Sequence, residues 1–503
     1  MSKTKTVQIC GTGSGVGKSI ITAGLCRILF QDGYRVAPFK AQNMALNSFV
    51  TKEGGEIGRA QAVQALAAKI APSIDMNPIL IKPSSDTGAQ IILKGKPIGH
   101  MSAIDYVSYK KQAEKEVMAA FNRLKEKFER IVIEGAGSPA EVNLRSHDIV
   151  NMKMAKRAKA PVILVGDIDK GGVFAWLIGT LDLLTKSERK LVKGFIINKF
   201  RGDFSLLKGG LRFLEQKTGI PVLGVLPYFR NIDIPEEDSV FLSKIEKKIP
   251  RKNRKLINIK VIYLPHISNF TDFDALEKEP DVDLTYIQHP KELKNSDLII
   301  IPGSKNTISD LTVLNKTGFS KKILASLKKE KTYIVGICGG FQMLGEKISD
   351  LKQIESKEKS IGGLNLLPIE TTIKGEKTLA QTEAIHLDTG FKIKGYEIHH
   401  GETSSVNSLK PLFKITKKNK KKTDQLDGVS SLDQKIWGTY LHGLFDNHQF
   451  RRYFLNQIRK SKGWAPLAHS TSFDVDQEID KLADLLREHL NLKLFYKILN
   501  KND

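Results

Sequence analysis

The stretch "CGTGSGVGKSI", residues 10 to 20, follows an apolar run and opens a helix-like pattern. Glycines in this setting let backbone N–H groups close around phosphate oxygens at the start of a helix. Lys18 can reach the β- and γ-phosphates of a nucleotide, and Ser19 can ligate magnesium. The usual phosphate loop has glycine where this chain has Thr12. We predict a variant P-loop, with a ligand-free glycine-rich turn as the alternative.

The predicted nucleotide-binding residues are the glycines of this loop and the residues between and after them. They are Gly11, Thr12, Gly13, Gly15, Val16, Gly17, Lys18 and Ser19.

Outward from this loop, short apolar runs rich in β-branched residues alternate with helix-length segments. In the first half these runs are "TVQICGTG", "YRVAPFKAQ", "RIVIEGAG", "APVILVGDID", "VKGFIINKF" and "IPVLGVLPY". A second series contains "INIKVIYLP", "SDLIIIPGS", "TYIVGICGG" and "IWGTYLHGLF". Such alternation is typical of parallel sheets covered by helices. The sequence therefore predicts an α/β protein with two Rossmann-like open-sheet domains.

The domain bounds follow from shifts in this pattern. We predict a first domain over 1–242, a basic linker over 243–257, a second domain over 258–450 and a helical tail over 451–503. Within the tail, apolar residues recur at spacings that fit one helix face, which indicates packing rather than chemistry. These residues are Ile479, Leu482, Leu486, Leu490 and Ile498.

Composition narrows the class of protein. The chain has 503 residues, more than one hydrophobic core usually serves, and no run of 18 apolar residues that could span a bilayer. Its start lacks the features of a signal peptide, and its three cysteines form no disulfide framework or CxxC metal site. We expect a cytoplasmic protein with no membrane partner and no tightly bound cofactor.

The formal net charge of +24 lies partly in lysine runs at 247–255 and 417–422. No aromatic residues interleave with these runs, so we interpret them as a linker and a solvated loop, with no nucleic-acid partner. A basic surface also favours nucleotides and acidic small molecules.

Charged residues stand at several strand ends, where an open α/β sheet binds its ligand. Glu134 closes "RIVIE" and is a candidate magnesium ligand with Ser19; the alternative is an acid that caps the next turn. Asp167 and Asp169 follow another strand and either face the site or order the loop. Lys40 is a candidate for neutralising phosphate or a substrate carboxylate, or an exposed lysine without a role.

In the second series, "TYIVGICGG" ends in a sharp turn and "FQMLGEKI" continues as a predicted helix. A cysteine on a strand-to-helix elbow projects outward, and nearby N–H groups favour a thiolate and a developing oxyanion. A structural cysteine more commonly lies within the strand. Cys338 is therefore a candidate nucleophile, and such a nucleophile needs a base.

The motifs around these residues resemble known families. The P-loop is similar to that of the dethiobiotin synthetase-like branch, in which a carboxylate accepts the phosphoryl group. Further motifs, in order and spacing, resemble the cobyric acid synthase family over nearly the whole chain. They are "PFKAQNMALNS" (38–48), "GGEIGRAQAVQA" (54–65), "IEGAGSPAEVNL" (133–144), "GDIDKGGVFA" (166–175), "INKFRGD" (197–203), "PGSKNTISDL" (302–311) and "GYEIHHGE" (395–402). Glu56, within the second motif, is a weaker metal candidate.

The cysteine motif resembles that of triad-type, class I glutamine amidotransferases. This resemblance implies that His442 is the base and that the backbone N–H groups of Gly303 and Gly339 bind the oxyanion. Most members carry a glutamate two residues after the histidine, where this chain has Leu444. The branch that amidates cobyric and cobyrinic acids is similar in lacking it, and what orients His442 stays open. His399 and His400 line a surface or lie in a loop, without a catalytic role.

The resemblance implies an ATP- and glutamine-dependent amidoligase of cobalamin biosynthesis. Its substrates would be glutamine, ATP with Mg²⁺, and the corrinoid adenosylcobyrinic acid a,c-diamide, amidated at its b, d, e and g carboxylates. A cobyrinic acid a,c-diamide synthase is the alternative within enzymes. A regulatory P-loop ATPase joined to an inactive amidotransferase-like module is the non-enzyme alternative.

Overall fold

The computed structural model describes residues 4–83, 88–229, 232, 234, 255–329, 332–405, 409–468 and 474–501. The chain forms two compact units. The first contains Met1–Ala45, Gly55–Glu236 and Asp474–Asp503, and the second contains Leu46–Gly54 and Glu237–Phe473. Among the described residues, no helix is long and apolar enough to cross a membrane.

Strands and helices alternate from the N-terminus. In chain order they are β1 (Lys5–Gly11), α1 (Lys18–Gln31), β2 (Val36–Phe39), β3 (Gln42–Met44), β4 (Ser48–Val50), β5 (Glu56–Gly58), α2 (Arg59–Ala67), β6 (Ile79–Pro83), β7 (Gly88–Leu93), β8 (Lys96–Ser102), α3 (Ala103–Lys127), β9 (Arg130–Glu134), α4 (Met152–Ala158), β10 (Val162–Asp167), α5 (Val173–Leu183), α6 (Lys186–Arg189), β11 (Val192–Phe200), α7 (Phe204–Thr218) and β12 (Val222–Pro227).

The second series also begins with alternating strands and helices, and it then continues with long antiparallel strands. It comprises β13 (Ile257–Ile262), β14 (Ile267–Ser268), a 3₁₀ turn (Phe270–Phe273), α8 (Asp274–Glu277), β15 (Val282–Ile287), β16 (Leu298–Ile301), β17 (Gly303–Ser304), α9 (Thr307–Thr317), α10 (Phe319–Lys329), β18 (Tyr333–Ile337), α11 (Gly339–Met343), β19 (Lys347–Ser349), β20 (Ser360–Gly362), β21 (Ile369–His386), β22 (Lys392–Ser405), β23 (Lys410–Lys418), β24 (Lys421–Ser430), β25 (Ile436–Thr439), a 3₁₀ turn (Leu444–Asp446), α12 (His448–Ser461), α13 (Val475–His489) and α14 (Leu492–Asn500).

The first unit is built on a six-stranded sheet of order β12-β11-β10-β1-β9-β2, in which every pair is parallel. Alternate residues of β10 enter different cores: Ile163 and Val165 pack with α1, whereas Val162 and Leu164 pack with α5. Both faces of the sheet are therefore covered, which explains the continuous apolar runs of its strands. A smaller sheet of order β3-β6-β7-β8 completes this unit.

In the sheet of the second unit, the strands β15-β13-β16-β18-β25 are parallel. The sheet continues through β24, β23, β21 and β19 to β20, with every pair in this extension antiparallel except β21 with β19. The predicted α/β class, with an open parallel sheet in each half, is confirmed. The sequence did not indicate the antiparallel extension, because long exposed strands such as β21 carry many polar residues.

The helical segment after residue 450 is divided between the units. Helix α12 belongs to the second unit, whereas α13 and α14 belong to the first. The five residues predicted to share an apolar face are all buried in the first unit. At Gly24 of α1, an added β-carbon would overlap Leu486, so glycine permits the close approach of α13. Most of the predicted linker 243–257 lies outside the described residues, and β13 begins at Ile257.

Three local predictions were wrong. The lysine run 417–422 is not a loop but a β-hairpin between β23 and β24, in which Asn419 and Lys420 both have positive φ. His399 and His400 lie within β22 rather than in a loop. The helix after Cys338 spans only Gly339–Met343, and Lys347 already begins β19, because a tight turn replaces the predicted second helical turn.

Candidate functional site

The phosphate-loop residues lie between β1 and α1, as the sequence predicts. Gly17 precedes α1 with φ of 104°, a left-handed conformation that favours glycine, and an added β-carbon there would overlap the Asn198 side chain. Asn198 in turn donates from Nδ2 to the carbonyl of Val16 (2.9 Å). Lys18 is buried, and its ammonium donates to the carbonyls of Gly13 (2.7 Å) and Gly137 (3.1 Å).

Thr12, the departure from the usual pattern, directly follows β1 and is still bonded to the neighbouring strand. Its N–H donates to the carbonyl of Val165 in β10 (2.9 Å). Gly11 is the last residue of β1, and an added β-carbon there would press on Val16 within the loop. Gly11, one residue before the expected position, is therefore the glycine that permits this close packing of the loop.

Glu134 ends β9, is fully buried, and collects donors from three elements. Its Oε1 accepts hydrogen bonds from Ser19 Oγ (2.8 Å) and Lys40 Nζ (2.8 Å). Its Oε2 accepts from Gln64 Nε2 (2.5 Å) and Gln61 Nε2 (3.3 Å) of α2. Burial alone would raise the pKa of Glu134, yet the Lys40 charge and these hydrogen bonds hold that pKa below its usual value.

The structure therefore brings Ser19, Lys40 and Glu134 together at the phosphate loop. Glu56 has a different partner: its carboxylate forms a buried ion pair with Lys82. No group of three or more His, Cys, Asp or Glu side chains is placed to hold a metal within the described part of the chain. The sequence missed Gln61 and Gln64, although their i, i+3 spacing puts them on one face of a helix.

Asp167 and Asp169 at the end of β10 order the neighbouring loops. Asp167 pairs with Lys199 (2.9 Å) and accepts from the Asp169 N–H (3.0 Å). Lys199 also donates to the carbonyl of Gly15 in the phosphate loop (2.6 Å). Asp169 pairs with Arg201 (2.9 Å). These contacts support the interpretation that Asp167 and Asp169 order the loops. A role of either residue toward the substrate stays a prediction.

In the second unit, Cys338 follows β18 at the predicted elbow. Its backbone has φ of 52° and ψ of −107°, a strained conformation that nucleophile elbows adopt to project the side chain. At Gly340, an added β-carbon would overlap the carbonyl oxygen of Ile301. The thiol is almost buried and lies 3.4 Å from the carbonyl oxygen of Ile398.

His442 follows β25 and is completely buried, and the nearby Cys338 thiol contributes to the shift of its pKa. Its Nδ1 lies 2.6 Å from Oδ2 of Asp272. Because a carboxylate only accepts, Nδ1 carries the hydrogen, and Nε2 lies 3.5 Å from Nδ2 of Asn269. The other Asp272 oxygen accepts from the Gly443 N–H (3.0 Å). The ring stacks on Tyr396, with centroids 5.1 Å apart.

The electrostatics of this pair favour the imidazolium. Burial alone would lower the pKa of His442, but the charge and hydrogen bond of Asp272, together with Cys338, raise that pKa to about 10. Asp272 is the carboxylate that contacts the His442 ring, a partner that the sequence left unidentified. It lies in a 3₁₀ turn 170 residues before His442, and nothing in the sequence near either residue pairs them.

The two predicted oxyanion glycines also lie at this site. An added β-carbon at Gly303 would come within 3.4 Å of Cε1 of His442, and one at Gly339 within 2.8 Å of the Ser304 nitrogen. The side chain of Leu444 is buried in the apolar core of the unit and has no polar atom that could replace the glutamate. His399 stacks on Tyr440 at 3.8 Å between centroids.

Comparisons with known proteins match both units. Residues 7–241 match the CobQ/CobB/MinD/ParA nucleotide binding domain, and residues 258–450 match the CobB/CobQ-like glutamine amidotransferase domain. The cobyric acid synthase of Dehalococcoides mccartyi strain CBDB1 is 50% identical over 99% of both chains, and that of Clostridium novyi is 49% identical over 99% of this chain and 98% of its own.

A longer relative is the adenosylcobalamin biosynthesis bifunctional protein CobDQ of Leptospira interrogans, which is 49% identical over 98% of this chain. The match spans 57% of that protein's length. The chain belongs to the cobyric acid synthase family, whose members are glutamine-dependent amidoligases of cobalamin biosynthesis.

Proposed function

We propose that the protein amidates the b, d, e and g carboxylates of adenosylcobyrinic acid a,c-diamide, at the expense of ATP and glutamine, to give adenosylcobyric acid. The observation that carries this proposal is the near full-length similarity to cobyric acid synthases, together with a buried Cys338 after β18 and a buried His442 paired with Asp272. We infer the substrate class from the relatives and the reaction steps from the side chains described above.

In the second unit, the thiolate of Cys338 attacks the side-chain carboxamide of glutamine. His442 holds the proton and delivers it to the departing nitrogen, so that ammonia leaves and a glutamyl thioester remains for hydrolysis. Asp272 keeps Nδ1 protonated, so that Nε2 faces the reacting atoms. The N–H groups of Gly303 and Gly339 are the proposed donors to the oxyanion.

In the first unit, the phosphate loop binds ATP, and Lys18 contacts the phosphoryl group that moves to a substrate carboxylate. Ammonia then displaces phosphate from the acyl phosphate. The Ser19 hydroxyl and the Glu134 carboxylate are hard oxygen ligands 2.8 Å apart and fit Mg²⁺, which supplies charge neutralisation on the phosphates. Lys40 pairs with Glu134 and would neutralise the same charges.

Glu134 is the preferred metal ligand because its carboxylate contacts Ser19 of the phosphate loop, whereas the carboxylate of Glu56 pairs with Lys82. The regulatory ATPase alternative is disfavoured by the complete cysteine, histidine and aspartate arrangement. The diamide synthase alternative is disfavoured by the relatives, which are cobyric acid synthases over their whole length. A cytoplasmic location stays a prediction from the sequence.

The test compares two nitrogen donors. Wild type with ATP, glutamine and the corrinoid diamide should give products that increase by one amidation at a time in mass spectrometry. Cys338→Ser should lose glutamine-dependent product and retain product with ammonium chloride, because activation of the carboxylate does not use the thiol. Equal loss with both donors would contradict separate glutaminase and synthetase chemistry.

A further inference from the structure

The segment Leu46–Gly54, here called the strap, belongs to the second unit although the residues on both sides of it in the sequence belong to the first. Asn47, Ser48, Val50 and Thr51 are almost completely buried. Polar side chains with so little exposure need specific partners, because an unsatisfied buried group is costly. Among the partners of the strap are Asn269 and Tyr396, which both contact His442.

One set of contacts reaches the imidazole through Asn269. The N–H of Ser48 donates to Oδ1 of Asn269 (3.1 Å), and Oδ1 of Asn47 accepts from the N–H of Phe270 (3.2 Å). Because its oxygen accepts from Ser48, the Asn269 amide has its nitrogen 3.5 Å from Nε2 of His442, where it can donate to the neutral imidazole but not to the imidazolium. Asn269 has φ of 52° and begins the turn that carries Asp272.

A second set reaches the imidazole through Tyr396. Phe49 packs on the Tyr396 ring (6.2 Å between centroids), and Val50 joins Tyr396 and Ile398 in a small apolar cluster. Tyr396 stacks on His442 and is also bridged to it through the backbone, since the His442 N–H donates to the Tyr396 carbonyl (2.9 Å). Gln381 donates to the Val50 carbonyl and fixes the strap to β21.

We propose that the strap is a positioning element of the glutaminase centre: it fixes the Asn269 amide and the Tyr396 ring, which together hold the His442 imidazole toward Cys338. This inference rests on the proposed function. The groups that face His442 are the Asp272 carboxylate, the Cys338 thiol, the Tyr396 phenol ring and the Asn269 amide. Of these, the strap contacts Asn269 and Tyr396.

The experiment uses Asn47→Leu, which removes the acceptor for Phe270, and Asn269→Asp, which keeps the acceptor for Ser48 but places a carboxylate oxygen toward Nε2. Lys52→Ala is the matched control, because Lys52 lies on the strap and is exposed. Glutaminase kcat and KM, its pH profile, and ammonia-dependent amidation are measured for each full-length variant.

For Asn47→Leu we expect glutaminase kcat to fall at least ~10-fold with KM for glutamine changed less than ~3-fold, since a misplaced base slows chemistry more than binding. For Asn269→Asp we expect the limb of the pH profile that His442 controls to move up by about one unit, because an opposite charge favours the imidazolium. Lys52→Ala should match wild type, and ammonia-dependent amidation should persist in every variant.

Wild-type glutaminase kinetics and an unmoved pH profile in both variants would overturn the positioning role. Loss of ammonia-dependent amidation as well would also overturn it, because the strap would then support folding rather than the glutaminase centre. If wild type hydrolysed no glutamine, or Cys338→Ser hydrolysed it normally, the proposed function itself would fail. The two failures are therefore distinguishable.

Discussion

Asp272 and His442 form a buried carboxylate–imidazole pair, with Oδ2 2.6 Å from Nδ1. The resemblance to triad-type amidotransferases implies a glutamate two residues after the histidine. This chain has the buried Leu444 at that position. Here the carboxylate comes from a turn that precedes the nucleophile in the chain. A different segment of the chain therefore provides a carboxylate to the imidazole.

Asp272→Asn should lower glutaminase kcat by at least ~10-fold. An amide no longer enforces the Nδ1–H tautomer or stabilises the imidazolium, but a thiol needs this help less than a serine hydroxyl does. Steady-state glutamine hydrolysis is the measurement, with ammonia-dependent amidation as the control for an intact first unit. Unchanged glutaminase kinetics would mean that Asp272 serves structure only.

The raised pKa of His442 also predicts how stability depends on pH. A folded-state pKa of about 10 lies above the ordinary histidine pKa of 6.5, so the stabilisation from this group is fully present below about pH 6.5 and is lost as pH rises toward 10. Asp272→Asn should remove most of this dependence. Between pH 6.5 and 9.5, the Tm of wild type should fall more than the Tm of Asp272→Asn, measured in parallel melts. Equal slopes would contradict the raised pKa.

The sequence predicted the parallel strands and the strand-end residues because these depend on local pattern. Glu134 and Cys338 lie where their apolar runs end, and both positions can be read within ten residues. Asp272 could not be found in this way, since it meets His442 only through tertiary packing. The same is true of the strap, whose polar residues are typical of a loop until their buried partners are known.

Lys18→Ala should abolish ATP-dependent amidation with either nitrogen donor. The Lys18 ammonium donates to the carbonyls of Gly13 and Gly137. Its positive charge would stabilise the phosphoryl group during transfer. Lys217→Ala is a control on the exposed side of α7. The measurement is corrinoid product with ammonium chloride, and near-normal turnover of Lys18→Ala would remove this lysine from the site.

Gly340→Ala should destabilise the second unit by at least ~2 kcal/mol, because the added carbon overlaps the Ile301 carbonyl and neither backbone can move freely. Gly362→Ala is the matched control, since an added β-carbon there meets open space. Thermal melts and glutaminase assays of both variants test this. If Gly340→Ala and Gly362→Ala had the same Tm, the turn after β18 would accommodate the added carbon without loss of stability.

The identity of the base is tested by His442→Ala, which should lower glutaminase activity by at least ~10²-fold, the lower end for a lost general base. The comparison variant is Leu444→Met. Truncating buried Leu444 to alanine would cost about 2–5 kcal/mol through a cavity, whereas methionine conserves volume and tests whether this position has a polar role. We expect Leu444→Met to stay within ~3-fold of wild type. If His442→Ala kept the full rate, the base would lie elsewhere, and His399, which stacks on Tyr440 in the same unit, would be the next residue to replace.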